Sequence, residues 1–516
     1  MHGLYILIFM SKINRSVLNM ISGGAGYLIP MVLNLVFTPV ILSNLGSEAY
    51  GLQSLVNVII GYLTVADMGL DIPVTKFIAE YKAKEDKVAM NKLLNSTLQI
   101  YLVIGFLGML IIFGFSRLLV DSVFKIPALL HSEALTVFFL AGFGFFGGIT
   151  SMWGKSIFNG LQRYEIANGI SIISNLLSTV IGIILVVNGN GVVGYVFVRV
   201  LFSLISGLVY FYLSKKYLPD FKITLGINVA VWLLLKTQIG YGFLLRISGI
   251  LSSRMDQTLI GAWVGIAAVG VYAIPFLITS SIISLIASIT HFIFPMASTL
   301  HATNKTEELK SIFLKTSRFV ASMASVLFVP LLLFGDKFLM LWVGEAIGDQ
   351  GSRVLLLLGI ATYSCTLSNI VINVFTTGIG QLRIFTIYAI SRSIMMAVGC
   401  AIFIKPFGIE GAGLAMLITC IADYIFFVYV VRKFLRLTIL EVLTKAYVKP
   451  VFLAAFLAIA CYFLRFIANS WLGLVSVCGI YITLYIGIGF LITVFGETEK
   501  RALMSIWNMV TLKVKK

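Results

Sequence analysis

Charged residues are scarce in this sequence, and acidic residues are the scarcest. Only 11% of its 516 residues are Asp, Glu, Lys or Arg, whereas 59% are hydrophobic. Soluble domains carry about 25% charged residues, so a chain of this composition cannot cover itself with a water-soluble surface. This lack of charge excludes a soluble enzyme or a soluble binding domain.

Cysteine and histidine are also sparse. Four histidines are scattered, and five cysteines lie singly in apolar runs, at Cys365, Cys400, Cys420, Cys461 and Cys478. With no CxxC spacing and no Cys/His cluster, we expect no metal, no cofactor and no disulfide framework, and we expect the cysteines to be buried packing thiols. The longest polar connections, about 214–237 and 432–447, are too short for the soluble domain of a membrane polymerase or glycosyltransferase.

Long apolar runs fill the rest of the chain. A hydrocarbon core of about 30 Å needs roughly 20 apolar residues per helix, and runs without strict alternation favour helices over a barrel. The sequence predicts an all-α, polytopic membrane protein with about fourteen spans: 17–42, 49–72, 93–120, 133–158, 165–187, 191–213, 238–263, 267–296, 312–334, 353–377, 384–404, 410–431, 448–468 and 471–494.

Basic residues lie mostly on one side of these spans. With the N-terminus inside, 27 of the 38 Lys and Arg fall in inner segments and 6 in outer ones. This bias supports the span count and predicts a multi-pass membrane protein with a cytoplasmic N-terminal segment, 1–16, and a cytoplasmic basic tail, 495–516. We expect anionic membrane lipids, not nucleic acid, to contact these charges. The apolar run ending at Met10 is too short to span and precedes its charges, so we expect translation to begin at Met10.

Glycine spacing indicates an internal repeat. Gly46-x4-Gly51 in the first outer loop matches Gly265-x4-Gly270 at an offset of 219 residues, and further glycine turns match at nearly the same offset. Because six spans is an even number, the sequence predicts two six-helix bundles in the same orientation, 17–213 and 238–431. A cytoplasmic linker, 214–237, joins them, and two extra helices, 448–494, follow. In transporters, repeats of this kind place the substrate path between the halves.

Several motifs carry a resemblance to a known superfamily. They are Leu45-Gly46-Ser47-Glu48-Ala49-Tyr50-Gly51-Leu52, Ala66-Asp67-Met68-Gly69-Leu70, Phe158-Asn159-Gly160-Leu161-Gln162-Arg163-Tyr164 and Asp256-Gln257-Thr258-Leu259-Ile260-Gly261. The whole chain resembles the multidrug/oligosaccharidyl-lipid/polysaccharide exporter superfamily, and within it the polysaccharide repeat-unit (Wzx-type) flippases. The resemblance implies alternating access and carriage of an undecaprenyl-diphosphate-linked oligosaccharide to the outer leaflet. It also implies that the two extra helices help to form a groove for the lipid tail, and that polysaccharide polymerase machinery is a partner.

Basic residues inside the spans bear on the substrate. A charge near the bilayer centre is costly and usually faces a cavity or a partner. The candidates for binding an anionic substrate are Arg246, Arg392, Arg254, Arg199 and Lys155. Guanidinium groups bind diphosphates well, so a positive interior favours an anionic lipid-linked substrate. The alternative is that these bases are structural partners of Asp256, Asp423 or backbone carbonyls.

The acidic residues in or near the spans are candidates for coupling transport to an ion. They are Asp67, Asp71, Asp256 and Asp423, and the sequence does not choose among them or between H⁺ and Na⁺. A multidrug or cation antiporter of the same superfamily would need a more acidic cavity. A peptidoglycan-precursor flippase stays open as an alternative, and no enzymatic activity is expected.

Overall fold

The structure is a computed structural model that describes residues 2–224, 226–290 and 293–492, without the side chains of 2–28 and 237–242. The predicted basic tail, 495–516, lies outside the described residues. So do the side chains of the predicted N-terminal segment, 1–16, which includes the expected start at Met10.

Helices make up the described part of the chain, which contains no strand. In chain order they are α1 His2–Leu63, α2 Asp71–Ala83, α3 Lys87–Leu118, α4 His131–Gly160, α5 Tyr164–Val187, α6 Gly191–Tyr217, α7 Val229–Trp263, α8 Ile266–Thr290, α9 Ile293–Ala302, α10 Thr306–Val343, α11 Glu345–Gly378, α12 Leu382–Lys433, α13 Ile439–Val442, α14 Val448–Tyr462 and α15 Trp471–Leu491. Short 3-10 turns cover Thr64–Asp67, Ala128–Leu130 and Arg465–Ile467, and π-helical turns cover Leu119–Val123 and Leu443–Tyr447.

Eleven helical segments of the described residues are long and apolar enough to cross a membrane. Two of these contain a kink, α1 at Gly46 and α12 at Gly408, and each kink separates two of the predicted spans. Helix α7 lies on the predicted seventh span. Each of the fourteen predicted spans therefore lies on helical structure, and the predicted all-α polytopic fold is confirmed.

Matching turns carry the predicted repeat. Gly46 and Gly265 both have left-handed backbone, with φ of 77° and 123°, and a helix follows each of them. Gly191 and Gly408 share a φ of 57° ahead of α6 and of the second half of α12. Glycine adopts these angles at no steric cost, which explains why it recurs at equivalent positions of both repeats.

The second glycine of each Gly-x4-Gly motif lies where two backbones meet. A β-carbon added to Gly51 would overlap the carbonyl group of Ile266 and lie 3.1 Å from the backbone nitrogen of Gly270. A β-carbon on Gly270 would overlap the carbonyl group of Ser47 and lie 3.2 Å from the nitrogen of Gly51. The contact is reciprocal, because Ser47 and Ile266 hold equivalent places in the two motifs. The repeat thus forms a two-fold crossing of α1 and α8.

Contacts within the chain divide it into two compact units. Unit 1 is Met1–Ala273 with Met396–Ala412, and unit 2 is Ile274–Met395 with Gly413–Lys516. These bounds differ from those of the predicted bundles, 17–213 and 238–431, and the latter remain a prediction. Within unit 2 the two extra helices pack on α10, where Phe334 shares one buried cluster with Leu453, Leu457, Leu474 and Tyr481.

A stripe of amide side chains holds the linker between α6 and α7. Asn91, Asn95 and Gln99 lie one turn apart along α3, so they share one face of that helix. Their side-chain oxygens accept hydrogen bonds from the backbone nitrogens of Lys222, Thr224 and Gly226, at 3.0, 2.8 and 2.9 Å. Asn95 also donates to the carbonyl of Lys222 at 2.7 Å. Side chains of α3 therefore hydrogen-bond to every second residue of the linker backbone, at Lys222, Thr224 and Gly226.

Candidate functional site

In unit 1, Arg246 of α7 is held between two carboxylates. Its Nη1 donates to Asp67 Oδ1 at 2.6 Å and its Nη2 donates to Asp71 Oδ1 at 3.0 Å. The chain reverses sharply here: Met68 and Gly69 both have positive φ, and the Gly69 nitrogen donates to Asp67 Oδ1 at 2.9 Å. The motif Ala66-Asp67-Met68-Gly69-Leu70 thus forms a turn that presents Asp67 to Arg246 and begins α2 at Asp71.

This Arg246 cluster, made of Arg246, Asp67 and Asp71, carries one net negative charge. Asp67 is fully buried, and the side chain of Arg246 is 24% exposed. The second oxygen of Asp67 has no hydrogen-bond partner in the described part of the chain. Arg246 was predicted to bind an anion. The structure shows that its guanidinium is engaged by carboxylates, and that the cluster has a carboxylate oxygen to spare.

In unit 2, Arg392 in the first half of α12 is paired with Asp423 in its second half, beyond the kink at Gly408. Arg392 Nε donates to Asp423 Oδ1 at 3.0 Å, and Asp423 is fully buried. The same oxygen accepts hydrogen bonds from the Tyr388 hydroxyl and, at 3.2 Å, from the amide of Asn369. The sequence left open whether Arg392 lines a cavity or is a partner of Asp423. The structure shows the partner, and sequence reasoning had not identified Tyr388 or Asn369.

Asp256 of α7 is buried, and its carboxylate has partners other than bases. Its Oδ1 accepts from the backbone nitrogen of Gln257 at 2.8 Å, and its Oδ2 accepts from the hydroxyl of Tyr272 on α8. Asp256 joins the ends of α7 and α8 next to the Gly51–Gly270 crossing.

Three in-span bases form no hydrogen bond or ion pair with a carboxylate among the described residues: Lys155, Arg199 and Arg254. Each is half-buried, and all three belong to unit 1. Arg199 Nη1 donates to the Tyr195 hydroxyl at 3.2 Å, and its guanidinium lies 5.7 Å from that ring. Arg254 Nε lies 3.4 Å from where a β-carbon of Gly61 would be, so the glycine leaves space for the guanidinium.

One group in the described part of the chain has the donor atoms for a metal ion. Cys365, Cys420 and Asp423 are buried in unit 2, and their ligand atoms all lie within 4.8 Å of one another. The cysteines were expected to be isolated packing thiols. They are free and mostly buried, as expected, but Cys365 and Cys420 meet although they are 55 residues apart. Their sequence spacing gave no signal of this contact.

The sequence was compared with known protein families and structures. The profile of a family described as polysaccharide biosynthesis protein matches residues 16–301. A search of curated proteins gave no match.

Several solved structures are similar in fold. One is the lipid II flippase MurJ in an inward closed conformation, with 13% identity, a TM-score of 0.73, and coverage of 93% of this chain and 100% of that one. Another is a multidrug resistance MATE family transporter of the MOP superfamily in an inward-facing conformation, with 16% identity, a TM-score of 0.65, and coverage of 82% and 95%. A third is a MOP superfamily transporter from Pyrococcus furiosus, with 16% identity, a TM-score of 0.59, and coverage of 81% and 96%.

These likenesses, at low identity, show a shared membrane-transporter fold. The family match is stronger evidence of relationship than the shared fold, because it rests on the sequence and covers more than half of the chain. The chain belongs to the polysaccharide biosynthesis protein family.

Proposed function

We propose that this protein is a flippase that moves undecaprenyl-diphosphate-linked oligosaccharide repeat units from the inner to the outer leaflet of a bacterial plasma membrane. It works by alternating access, with both termini in the cytoplasm, and performs no covalent chemistry. The observation that carries the proposal is the set of half-buried bases without a carboxylate partner in unit 1, Lys155, Arg199 and Arg254. Membership of a polysaccharide biosynthesis family supplies the glycan context.

The chemistry of these bases fits a diphosphate. A base held inside a membrane span costs several kcal/mol unless it meets an opposite charge or water, and none of these three forms a hydrogen bond or ion pair with a carboxylate in the described part of the chain. A diphosphate supplies that charge, and guanidinium groups bind it with two charge-assisted hydrogen bonds at a time. The unpaired bases are therefore the substrate-binding residues of this proposal.

Arg246 and Arg392 enter the proposal in a second role. A diphosphate can reach Arg246 only by competing with Asp67 and Asp71, and it can reach Arg392 only by competing with Asp423. A cation that binds Asp67 or Asp71 would release Arg246 for the substrate, so this cluster can exchange partners during transport, whereas Arg392 stays paired with Asp423. We propose that coupling to an ion acts at the Arg246 cluster, where one net negative charge and an unpartnered carboxylate oxygen can take a cation.

A cation antiporter is the weaker alternative. A positively charged substrate would be repelled by Lys155, Arg199 and Arg254, and Asp67 and Asp423 are already paired with arginine. A peptidoglycan-precursor flippase would use the same diphosphate chemistry, so the residues favour neither glycan. The identity of the cargo separates these two functions.

The experiment is deletion of the gene in its host, followed by mass spectrometry of lipid-linked intermediates and a glycan-accessibility assay on oriented vesicles. Accumulation of a polyprenyl-diphosphate glycan on the cytoplasmic face, reversed by the wild-type gene, supports the proposal. A peptidoglycan precursor as the accumulated lipid would identify the alternative cargo. No accumulation, or a glycan already exposed outside, would refute flipping of such lipids and leave export of small molecules to be tested.

A further inference from the structure

A buried thiol pair lies beside a carboxylate between two helices of unit 2. Cys365 is on α11, and Cys420 and Asp423 are on α12, where a spacing of three residues puts both side chains on one face. The two sulfur atoms are 3.4 Å apart, and Cys365 Sγ is 2.8 Å from Asp423 Oδ2. All three residues are buried. We propose that this triad is a binding site for a thiophilic divalent cation such as Zn²⁺ or Cd²⁺.

The spacing of the donor atoms fits such an ion. Zinc binds thiolate sulfur at about 2.3 Å and carboxylate oxygen at about 2.0–2.2 Å, usually in tetrahedral geometry. Two sulfurs on a tetrahedral ion are then about 3.8 Å apart, and a sulfur and an oxygen about 3.5 Å apart. The sulfurs of Cys365 and Cys420 need to separate by only a few tenths of an ångström. The Cys365–Asp423 pair needs to open by somewhat more, which a carboxylate rotation can provide.

The surrounding groups orient the carboxylate for this role. Asp423 Oδ1 receives Arg392, Tyr388 and Asn369, which leaves Oδ2 directed at Cys365. Hydrogen bonds of this kind to a ligating carboxylate fix its orientation and raise metal affinity.

The charge of the site also suits a divalent ion. With both thiols protonated, Asp423 and Arg392 cancel, so the group carries no net charge. A divalent cation that displaces the two thiol protons leaves the total at zero, because two thiolates and the ion cancel as well. Burying an uncompensated charge is expensive, and this exchange avoids it. Arg392 Nη2, 3.8 Å from Cys365 Sγ, can also donate to the thiolate that forms.

The selectivity follows from the donor set. Two thiolates favour soft or borderline ions, whereas Na⁺, Mg²⁺ and Ca²⁺ prefer oxygen ligands. The bound ion would join α11 to α12 within unit 2. Binding of the ion is measured directly, so the site can be tested without a transport assay.

The test is a Cd²⁺ titration of the reduced, full-length protein in detergent, followed by the ultraviolet charge-transfer absorption of cadmium thiolate. We expect one Cd²⁺ per chain with the intensity of two thiolates, and a Tm that rises with added Cd²⁺. Cys365→Ser and Cys420→Ser should each weaken binding by about 100-fold or more, since loss of even an outer partner of a metal ligand costs about 10–100-fold. Cys400→Ser is the matched control, because Cys400 is buried and belongs to unit 1.

Each outcome decides the proposal. Binding by the wild type and Cys400→Ser, but not by the two triad variants, supports it. Failure of the wild type to bind Cd²⁺, or equal binding by all variants, overturns it. If a triad variant elutes as an aggregate, the wild-type spectrum decides the proposal. A charge-transfer intensity below that of two thiolates per bound Cd²⁺ would overturn the site.

Discussion

The reciprocal contact of Gly51 with Gly270 predicts a specific response to alanine. In Gly51→Ala the new methyl group would overlap the carbonyl of Ile266, with its carbon 3.0 Å from the carbonyl carbon. In Gly270→Ala the methyl group would lie 3.0 Å from the carbonyl carbon of Ser47. Carbon atoms in favourable contact are about 3.5–4.0 Å apart. The added carbon also overlaps the carbonyl oxygen itself, and carbon–oxygen contacts are at least about 3.3 Å long, so each substitution requires α1 and α8 to separate by about 1 Å or more. Backbone atoms cannot rotate out of the way.

The size of the effect follows from that displacement. Overpacking a tight interface typically costs about 1–3 kcal/mol, and small residues at helix crossings in membranes let backbones approach closely. We expect each single variant to lose about 2 kcal/mol of unfolding free energy. Because the same separation of the helices relieves both overlaps, the double variant should lose less than the sum of the singles. Contacting residues show such coupling at about 0.5–3 kcal/mol.

The assay is unfolding of the purified protein in mixed micelles as the fraction of SDS is raised. Gly148→Ala and Gly169→Ala are the controls, because an added β-carbon at either position meets nothing within 4 Å. These controls should leave the unfolding free energy unchanged or raise it slightly, since alanine favours helix over glycine by about 1 kcal/mol. Additive losses in the double variant, or losses no larger than in the controls, would refute the reciprocal crossing.

Three further predictions concern polar contacts. Asp423→Asn removes the carboxylate partner of Arg392 and should lower the unfolding free energy by about 3–5 kcal/mol in the same assay. Most of this loss should be recovered when both residues are replaced by leucine. An unchanged unfolding free energy would show that the ion pair does not stabilise the fold. Asn95→Leu removes the hydrogen bonds that Asn95 forms with Lys222 and Thr224, each worth about 1 kcal/mol, so the backbone amide of Thr224 should exchange with solvent about tenfold faster or more. An equal exchange rate would show that Asn95 does not hold the linker. Arg254→Gln should reduce flipping in the vesicle assay by at least about tenfold, because a lost hydrogen bond to a charged group costs about 1.5–3 kcal/mol. The control Arg117→Gln, on an exposed outer helix end, should not reduce it. Equal activity of the two variants would contradict the anion-binding role of Arg254.

The features set by local sequence could be predicted. Apolar runs gave the spans because the bilayer fixes their length. The Gly-x4-Gly repeat identified the two motifs that cross, since Gly46 and Gly265 need left-handed backbone and Gly51 and Gly270 allow close approach. The sequence also identified Arg246 as an in-span charge that needs an explanation.

The partners of the charges could not be predicted. Asp67 and Arg246 are 179 residues apart, and Cys365 and Cys420 are 55 apart. Which side chains meet depends on how helices rotate and pack, and an apolar helix in a membrane carries little amphipathic pattern to report that rotation. Counting bases against acids in the spans therefore indicated a positive interior but could not show which bases are neutralised.

In our proposal the two units have different roles. In unit 2 the predicted in-span base Arg392 is paired with Asp423, so these two residues contribute structure and, in our proposal, a metal site. In unit 1 Lys155, Arg199 and Arg254 form no hydrogen bond or ion pair with a carboxylate among the described residues, and the Arg246 cluster has one carboxylate more than it has bases. Substitutions at the unit 1 charges should therefore change substrate affinity and coupling, whereas those at Arg392 and Asp423 should first change stability.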